Sequence, residues 1–359
     1  MLVAIILEPL MTLHFPVRRL LLGALVTSAL SLTGAGAFAQ ETTVRFQLDW
    51  RFEGNAALFT LPAAKGYFKA EKLNVIVDAG NGSGGTITRV ASGAYDMGFA
   101  DLSALMEFHA NNPTAPNKPV AVMMVYNNTP AAVLALKKSG IRSPADLNGK
   151  KLGAPVFDGG RKAFPIFAKA NNVSGVAWTS MDPPLRETML VRGDIDAITG
   201  FAFTSLLNLE ARGVKAEDIV VLPYQDYGVK LYGNAVIAGE DFIKKNPEAV
   251  RAFLRAFTRG VKDLIADPKG AIATVKARDG IINEDLELRR LKLVLDGTIL
   301  TADARAEGFG SVMGPRLSLM ASQVSDAYAT KERVNANAVW DASFLPSVTE
   351  RDIFKSSRK

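Results

Sequence analysis

Strand-length apolar runs alternate with longer helical patterns along most of this 359-residue chain, and that alternation restricts the possible folds more than any other feature. Residues 43–48 alternate as a half-buried strand does, and helix-forming residues follow over 56–66. A second strand is predicted over 73–78, followed by Gly82-Ser83-Gly84-Gly85 and a helix through Ala91. Residues 96–99 read as a short strand before a helix toward His109, and 120–126 are continuously apolar, the mark of a strand buried on both faces. The set then recurs, with strands over 133–137, 151–154, 178–181, 195–199 and 219–223 and helices over 161–171 and 184–192. After Tyr232 only helices are predicted, over 240–245, 247–266, 268–278, 284–295 and 314–331.

Such alternation predicts an α/β fold with mostly parallel sheets. Two successive βαβ sets imply two α/β lobes joined by two crossings, near residues 126–128 and 232–234, with a cleft between them. Lobe 1 is expected over 40–126 plus 235–359 and lobe 2 over 127–234. The helical stretch after Tyr232, with no strands of its own, is expected to pack back on lobe 1.

The N-terminus reads as a signal peptide over 1–39. Arg18 and Arg19 precede an apolar stretch over 20–32, and Ala37-Phe38-Ala39 places small residues where a signal peptidase cleaves. That stretch is short for a bilayer span, so export to the periplasm with a mature start at Gln40 is preferred to a membrane anchor. Without Cys there is no lipidation site, disulfide or thiolate metal site, and a chain this long buries enough surface without staples. The net charge of +6 is scattered, with no basic-aromatic stripe, so no nucleic-acid partner is expected.

Ligands of open α/β sheets sit beyond the carboxyl ends of the strands. At such an end Asp49-Trp50 pairs a hydrogen-bond acceptor with a stacking ring, although a core Trp with a capping Asp reads the same way. Gly82, Ser83 and Gly84 open a helix with backbone N–H groups accessible to a ligand, or form a plain βα turn; the spacing matches no nucleotide motif. Asp101 either caps the next helix or faces the cleft, and both roles are compatible. In lobe 2, Asp158-Gly159-Gly160-Arg161 mirrors the first Gly-rich turn, with Arg161 suited to a carboxylate, sulfonate or phosphate. Thr199 ends a strand, and Tyr126 and Tyr232 sit at the crossings. Catalytic groups are scarce: His14 and His109 are the only His, no Gly-x-Ser-x-Gly elbow occurs, and neither a metal site nor a cofactor is expected.

Five segments carry a resemblance when taken in order. They are Leu48-Asp49-Trp50; residues 64–73 (AKGYFKAEKL); residues 93–101 (GAYDMGFAD); residues 141–150 (IRSPADLNGK); and residues 193–200 (GDIDAITG). Together they resemble the substrate-binding proteins of ABC importers in the thiamine-pyrimidine-precursor, sulfonate and nitrate group, over roughly residues 43–266. The resemblance implies a periplasmic-binding-protein fold and ligand contacts from the residues after the first strand and from the Gly-Ser loop. The expected contact set is Asp49, Trp50, Asn55, Gly82, Ser83, Gly84, Asp101 and Tyr126 with Asp158, Arg161, Thr199 and Tyr232. It further implies a monomer that binds a small heteroaromatic molecule and delivers it to an inner-membrane ABC permease. A sulfonate or other small organic anion is the alternative ligand, and a sensor on the same fold an alternative role. The group also contains a pyrimidine synthase that consumes its own His and carries a Cys-rich segment; here Ala56 stands where relatives often have that His, and Cys is absent. Binding without catalysis is therefore expected.

Overall fold

The computed structural model describes residues 41–328 and 330–355, so the expected signal peptide and His14 lie outside the described residues. Alternation in β1 (Thr42–Gln47) buries Val44 and Phe46 while Thr43 and Arg45 face solvent. α1 (Ala57–Ala64) and α2 (Tyr67–Ala70) lead to β2 (Leu73–Asp78), α3 (Ser83–Ala91) to β3 (Met97–Asp101), and α4 (Leu102–Asn111) to β4 (Pro119–Met124). The chain then crosses to β5 (Ala131–Leu136), β6 (Lys151–Gly153), α5 (Gly159–Ala170), β7 (Ala177–Thr179), α6 (Arg186–Arg192), β8 (Ala197–Phe201), α7 (Ala202–Glu210) and β9 (Ile219–Pro223). It returns to β10 (Asn234–Gly239) and continues through α8 (Glu240–Lys245), α9 (Pro247–Ala266), α10 (Pro268–Lys276), α11 (Glu284–Val294), α12 (Ala302–Glu307) and α13 (Gly314–Ala327).

Each lobe is built on a five-stranded sheet, one ordered β2-β1-β3-β10-β4 and the other β7-β6-β8-β5-β9. As expected, the sheets are mostly parallel: in each, four strands run one way and one runs against them. β10 runs antiparallel to both β3 and β4, and β5 antiparallel to both β8 and β9. These are the two strands entered from the crossings rather than from a helical crossover, so nothing forces them parallel to their neighbours. β10 corrects the reading that no strand follows Tyr232. Its Ala235, Val236, Ile237 and Ala238 are fully buried in the middle of the sheet, and so short an apolar run beside a helix start has no periodicity of its own. α7 was likewise not foreseen.

The crossings hydrogen-bond to one another. Gly233 N–H donates to Tyr126 O (2.8 Å), Tyr126 N–H to Asn234 O (2.9 Å) and Thr129 N–H to Leu231 O (3.1 Å). A Cβ on Gly233 would lie 2.9 Å from Tyr126 Cβ and 3.0 Å from Pro130 Cδ, which explains the glycine. Lobe 1 is held by a ladder of rings: Phe46 lies 4.7 Å from Phe59 and 5.0 Å from Phe253, and Phe59 lies 5.0 Å from Phe257. α9 supplies two of these rings from a stripe of Val250, Phe253, Phe257, Val261 and Leu264, spaced for one helical face. Of the late helices, α13 packs on α4 of lobe 1 and also touches α5 of lobe 2.

Candidate functional site

The strand tips of the two sheets face one another across a closed cleft. Asp49, just beyond β1, is 5% exposed, and its Oδ2 accepts from Asn234 Nδ2 at 2.7 Å. The Asp49 carbonyl accepts from Gly82 N–H at 2.7 Å, tying the Gly-Ser loop to β1. Gly82 has φ +137°, and a Cβ there would stand 2.2 Å from Phe157 O, so this turn brings the two lobes' backbones together. Gly84 N–H donates across the gap to the same carbonyl at 3.1 Å. Ser83, at the start of α3, accepts from Asp101 N–H at 3.0 Å.

From lobe 2, Asp158 caps α5 by accepting from Arg161 N–H at 2.8 Å and takes Arg186 Nη1 on its other oxygen at 3.0 Å. Arg186 opens α6 and is 1% exposed. Its Nε donates to Glu187 Oε1 at 3.0 Å, its Nη1 reaches Thr199 O at 3.3 Å, and its guanidinium carbon lies 5.0 Å from the Trp50 ring centre. The cavity left between the lobes is lined by Asp49, Trp50, Asn55, Gly82, Ser83, Asp158, Gly159, Arg186, Phe201, Phe203 and Thr204. Its volume is about 10 Å³, room for about one water molecule, so anything larger enters only when the lobes part.

Burial dominates the electrostatics. It pushes the Asp49 carboxyl up to about 7, against the Asn234 hydrogen bond that favours the ionised form and helped by the nearby charges of Asp101 and Asp158. Asp101 is pushed up to about 6 by the same cause, opposed by its bonds to Ser103 and Ala104. Asp158 is also raised by burial, with Arg186 pulling the other way. Burial works against the Arg186 charge, but Glu187 and Asp158 outweigh it. Three polar atoms of the lining are buried without a hydrogen-bond partner among the described residues: the donor Trp50 Nε1, the acceptor Asn55 Oδ1, and Arg186 Nη2, which lies 2.9 Å from Glu187 Oε1 as an ion pair. An unmet buried donor or acceptor costs about 1–3 kcal/mol, so each is primed for a ligand's complementary group.

Of the expected contact set, Asp49, Trp50, Asn55, Gly82, Ser83 and Asp158 converge on this cavity. The others sit elsewhere. Gly84 bridges the lobes beside it. Asp101 caps α4 through Oδ1, which accepts from Ser103 and Ala104 N–H, while its Oδ2 is buried without a hydrogen-bond partner among the described residues. Tyr126 lies beneath the lining and its hydroxyl accepts from Asn55 Nδ2 at 3.4 Å. Thr199 is buried behind it, reaching Arg186 through its carbonyl. Arg161 points away, stacked 4.6 Å from the Trp178 ring and donating to Ala154 O and Ser180 Oγ, because its backbone position in the first turn of α5 directs it outward. Tyr232 stays at the crossing, its hydroxyl accepting from Met313 N–H at 2.8 Å with Arg316 stacked on its ring. The Trp50 ring expected to stack on a ligand carries Arg186 on one face. The expected contact set omitted Arg186, Gly159, Phe201, Phe203 and Thr204; of these, Gly159 in the second Gly-rich turn and Phe201 at a strand end carried a local signal.

This architecture and site define a periplasmic-binding-protein fold. The alkanesulfonate-binding protein SsuA of Xanthomonas axonopodis pv. citri, solved bound to MOPS, superposes with TM-score 0.64 at 15% identity, covering 84% of this chain and 99% of that one. A Candida albicans protein described as having the generic periplasmic binding protein fold superposes with TM-score 0.64 at 14% identity, covering 85% and 98%. The chain belongs to the NMT1/THI5-like family, whose model it matches over residues 54–271. It is 30% identical over 219 residues to the riboflavin-binding protein RibY of Chloroflexus aurantiacus, a match spanning 60% of each chain. It is 28% identical over 243 residues to the 4-amino-5-hydroxymethyl-2-methylpyrimidine phosphate synthase of Aspergillus parasiticus, over 64% of this chain and 68% of that one.

Proposed function

We propose that this protein is the exported solute-binding component of an ABC importer, closing its lobes on a small planar heteroaromatic molecule related to the thiamine pyrimidine precursors and presenting it to an inner-membrane permease. In this reading it works as a periplasmic monomer, with lobe 1 formed by 40–126 plus 235–359 and lobe 2 by 127–234. One observation carries the ligand class. The cavity holds a carboxyl group, an unmet N–H donor and an unmet carbonyl acceptor side by side, in Asp49, Trp50 and Asn55. A neutral heterocycle with ring nitrogens and an amino group offers the matching acceptors and donors, and Phe201 and Phe203 supply apolar walls.

The charge balance disfavours the sulfonate alternative. Arg186 is the cationic side chain of the lining, and its charge is balanced by Asp158 and Glu187, leaving only Nη2 as an unmet hydrogen-bond donor. A sulfonate there would face two carboxyls, Asp49 and Asp158, from a guanidinium whose charge is already met. Relatives named as riboflavin binder and pyrimidine synthase fit a heterocycle, and a binding role fits the lining, which contains no His or Cys. The only described histidine, His109, instead holds Pro119 O through Nε2 at 2.7 Å.

Titration calorimetry of residues 40–359 against 4-amino-5-hydroxymethyl-2-methylpyrimidine, its formylamino analogue, riboflavin and a series of alkanesulfonates tests the reading. At least one heterocycle is expected to bind, and Trp50→Phe, which keeps an aromatic face but deletes the indole N–H, to weaken it about tenfold. Binding confined to sulfonates, or chemical conversion of a heterocycle, would overturn it.

A further inference from the structure

One layer outside the cavity, Arg290 of α11 is 1% exposed and reaches from lobe 1 to α7 of lobe 2. Its Nη1 donates to the carbonyls of Phe203 and Thr204, each at 3.0 Å, and its Nη2 to Asn208 Oδ1 at 3.0 Å. On its own helix, Nε donates to Glu287 Oε2 at 2.8 Å and Nη2 to Glu287 Oε1 at 3.1 Å. Glu53 lies beside it, with Oε2 3.6 Å from Nη1, and accepts from Thr204 Oγ1 at 2.9 Å. Phe203 and Thr204 both line the cavity.

We infer that Arg290 is a positioning residue that latches α7 in the closed position, holding the Phe203–Thr204 wall of the cavity against lobe 1 and setting how long a ligand is retained. The inference rests on the two-lobe binding reading above. Its geometry is that of a switch. The planar guanidinium fits three oxygens of lobe 2 at once, so a parting of an ångström or two breaks those bonds together. Glu287, whose Oε2 lies 2.8 Å from Arg290 Nε on the same helix turn, stays with Arg290 whichever way α7 moves, so the open form does not strand a bare buried charge. A closure slipped out of register would leave the guanidinium buried without its lobe 2 acceptors, which selects a single closed geometry.

The chain has no cysteine, so Lys69→Cys and Ala145→Cys, both at exposed positions on opposite lobes, give a unique pair of spin labels on the full chain. Interlobe distances are measured without ligand and with 4-amino-5-hydroxymethyl-2-methylpyrimidine as probe, alongside the probe's dissociation rate. Arg290→Ala is expected to shift the distances toward a longer, broader population and to speed dissociation about tenfold or more, with Arg290→Lys intermediate. Should Arg290→Ala not fold, Asn208→Leu removes the one side-chain acceptor that lobe 2 gives the guanidinium and is expected to act in the same direction with a smaller effect. Distances and dissociation rates unchanged in every variant that folds would overturn the latch and leave the binding reading standing. Distances that lengthen in the variants while the wild type ignores every heterocycle would support the latch and overturn the ligand reading.

Discussion

Burial holds the Asp49 carboxyl at about 7 against an ordinary value of 3.8, and this one shift has two consequences of opposite use. Between those values the folded protein binds a proton that the unfolded chain has released, so the contribution of Asp49 to stability is complete below pH 3.8 and is lost as pH rises through about 7. Asp49→Asn removes the charge and keeps an oxygen for Asn234. Urea denaturation is expected to show the variant more stable than wild type at pH 8 by up to about 4 kcal/mol, a gain that shrinks toward zero at pH 4. An equal difference at both pH values would show that Asp49 is not the group responsible. For binding, a ligand N–H prefers the carboxylate, so affinity for a heterocycle is expected to fall about tenfold from pH 8 to pH 6 in calorimetry, and the fall to disappear in Asp49→Asn. Asp49, Trp50 and the Gly-Ser loop were legible because strand ends and glycines announce themselves locally. Arg186 was not, since nothing around an Arg in a helical first turn reveals that Asp158 and Glu187, one of them 28 residues away, will bury it.

The apolar stripe of α9 is a local pattern with a tertiary result. Its side chains recur on one face, and that face meets the rings of β1 and α1. Phe257→Ala should therefore leave a cavity under α1 and cost about 3–5 kcal/mol in denaturant unfolding, with the helix content of the folded chain unchanged by circular dichroism. A loss below about 1 kcal/mol would mean that the ring ladder is not what holds lobe 1. β10 and α7 show the opposite case. Both are short and lack a clear period, β10 being apolar after Asn234 and α7 carrying Thr204, Ser205, Asn208 and Glu210 among its apolar residues, so the choice between strand and helix falls to the partners available. β10 becomes a strand because β3 and β4 leave an unpaired edge between them, and its buried backbone must be paired.

Across the whole molecule, motion is expected where the two crossings run side by side. Gly233→Ala would push a methyl group against Tyr126 and Pro130, and is expected to lower the thermal midpoint by the equivalent of about 1–3 kcal/mol. Scattering curves of that variant should also lose any ligand-induced compaction seen in wild type; an unchanged midpoint and unchanged compaction would locate the hinge elsewhere. The α/β class, the division into two strand sets and the Gly-rich turns followed from periodicity and turn chemistry, which act over a few neighbouring residues and so are written in the linear order. The antiparallel strands, the buried guanidiniums of Arg186 and Arg290, the outward turn of Arg161 and the straddling of both lobes by α13 followed from packing. Each depends on which distant surface must be covered or which distant charge must be paired, and that is decided only when the chain closes on itself.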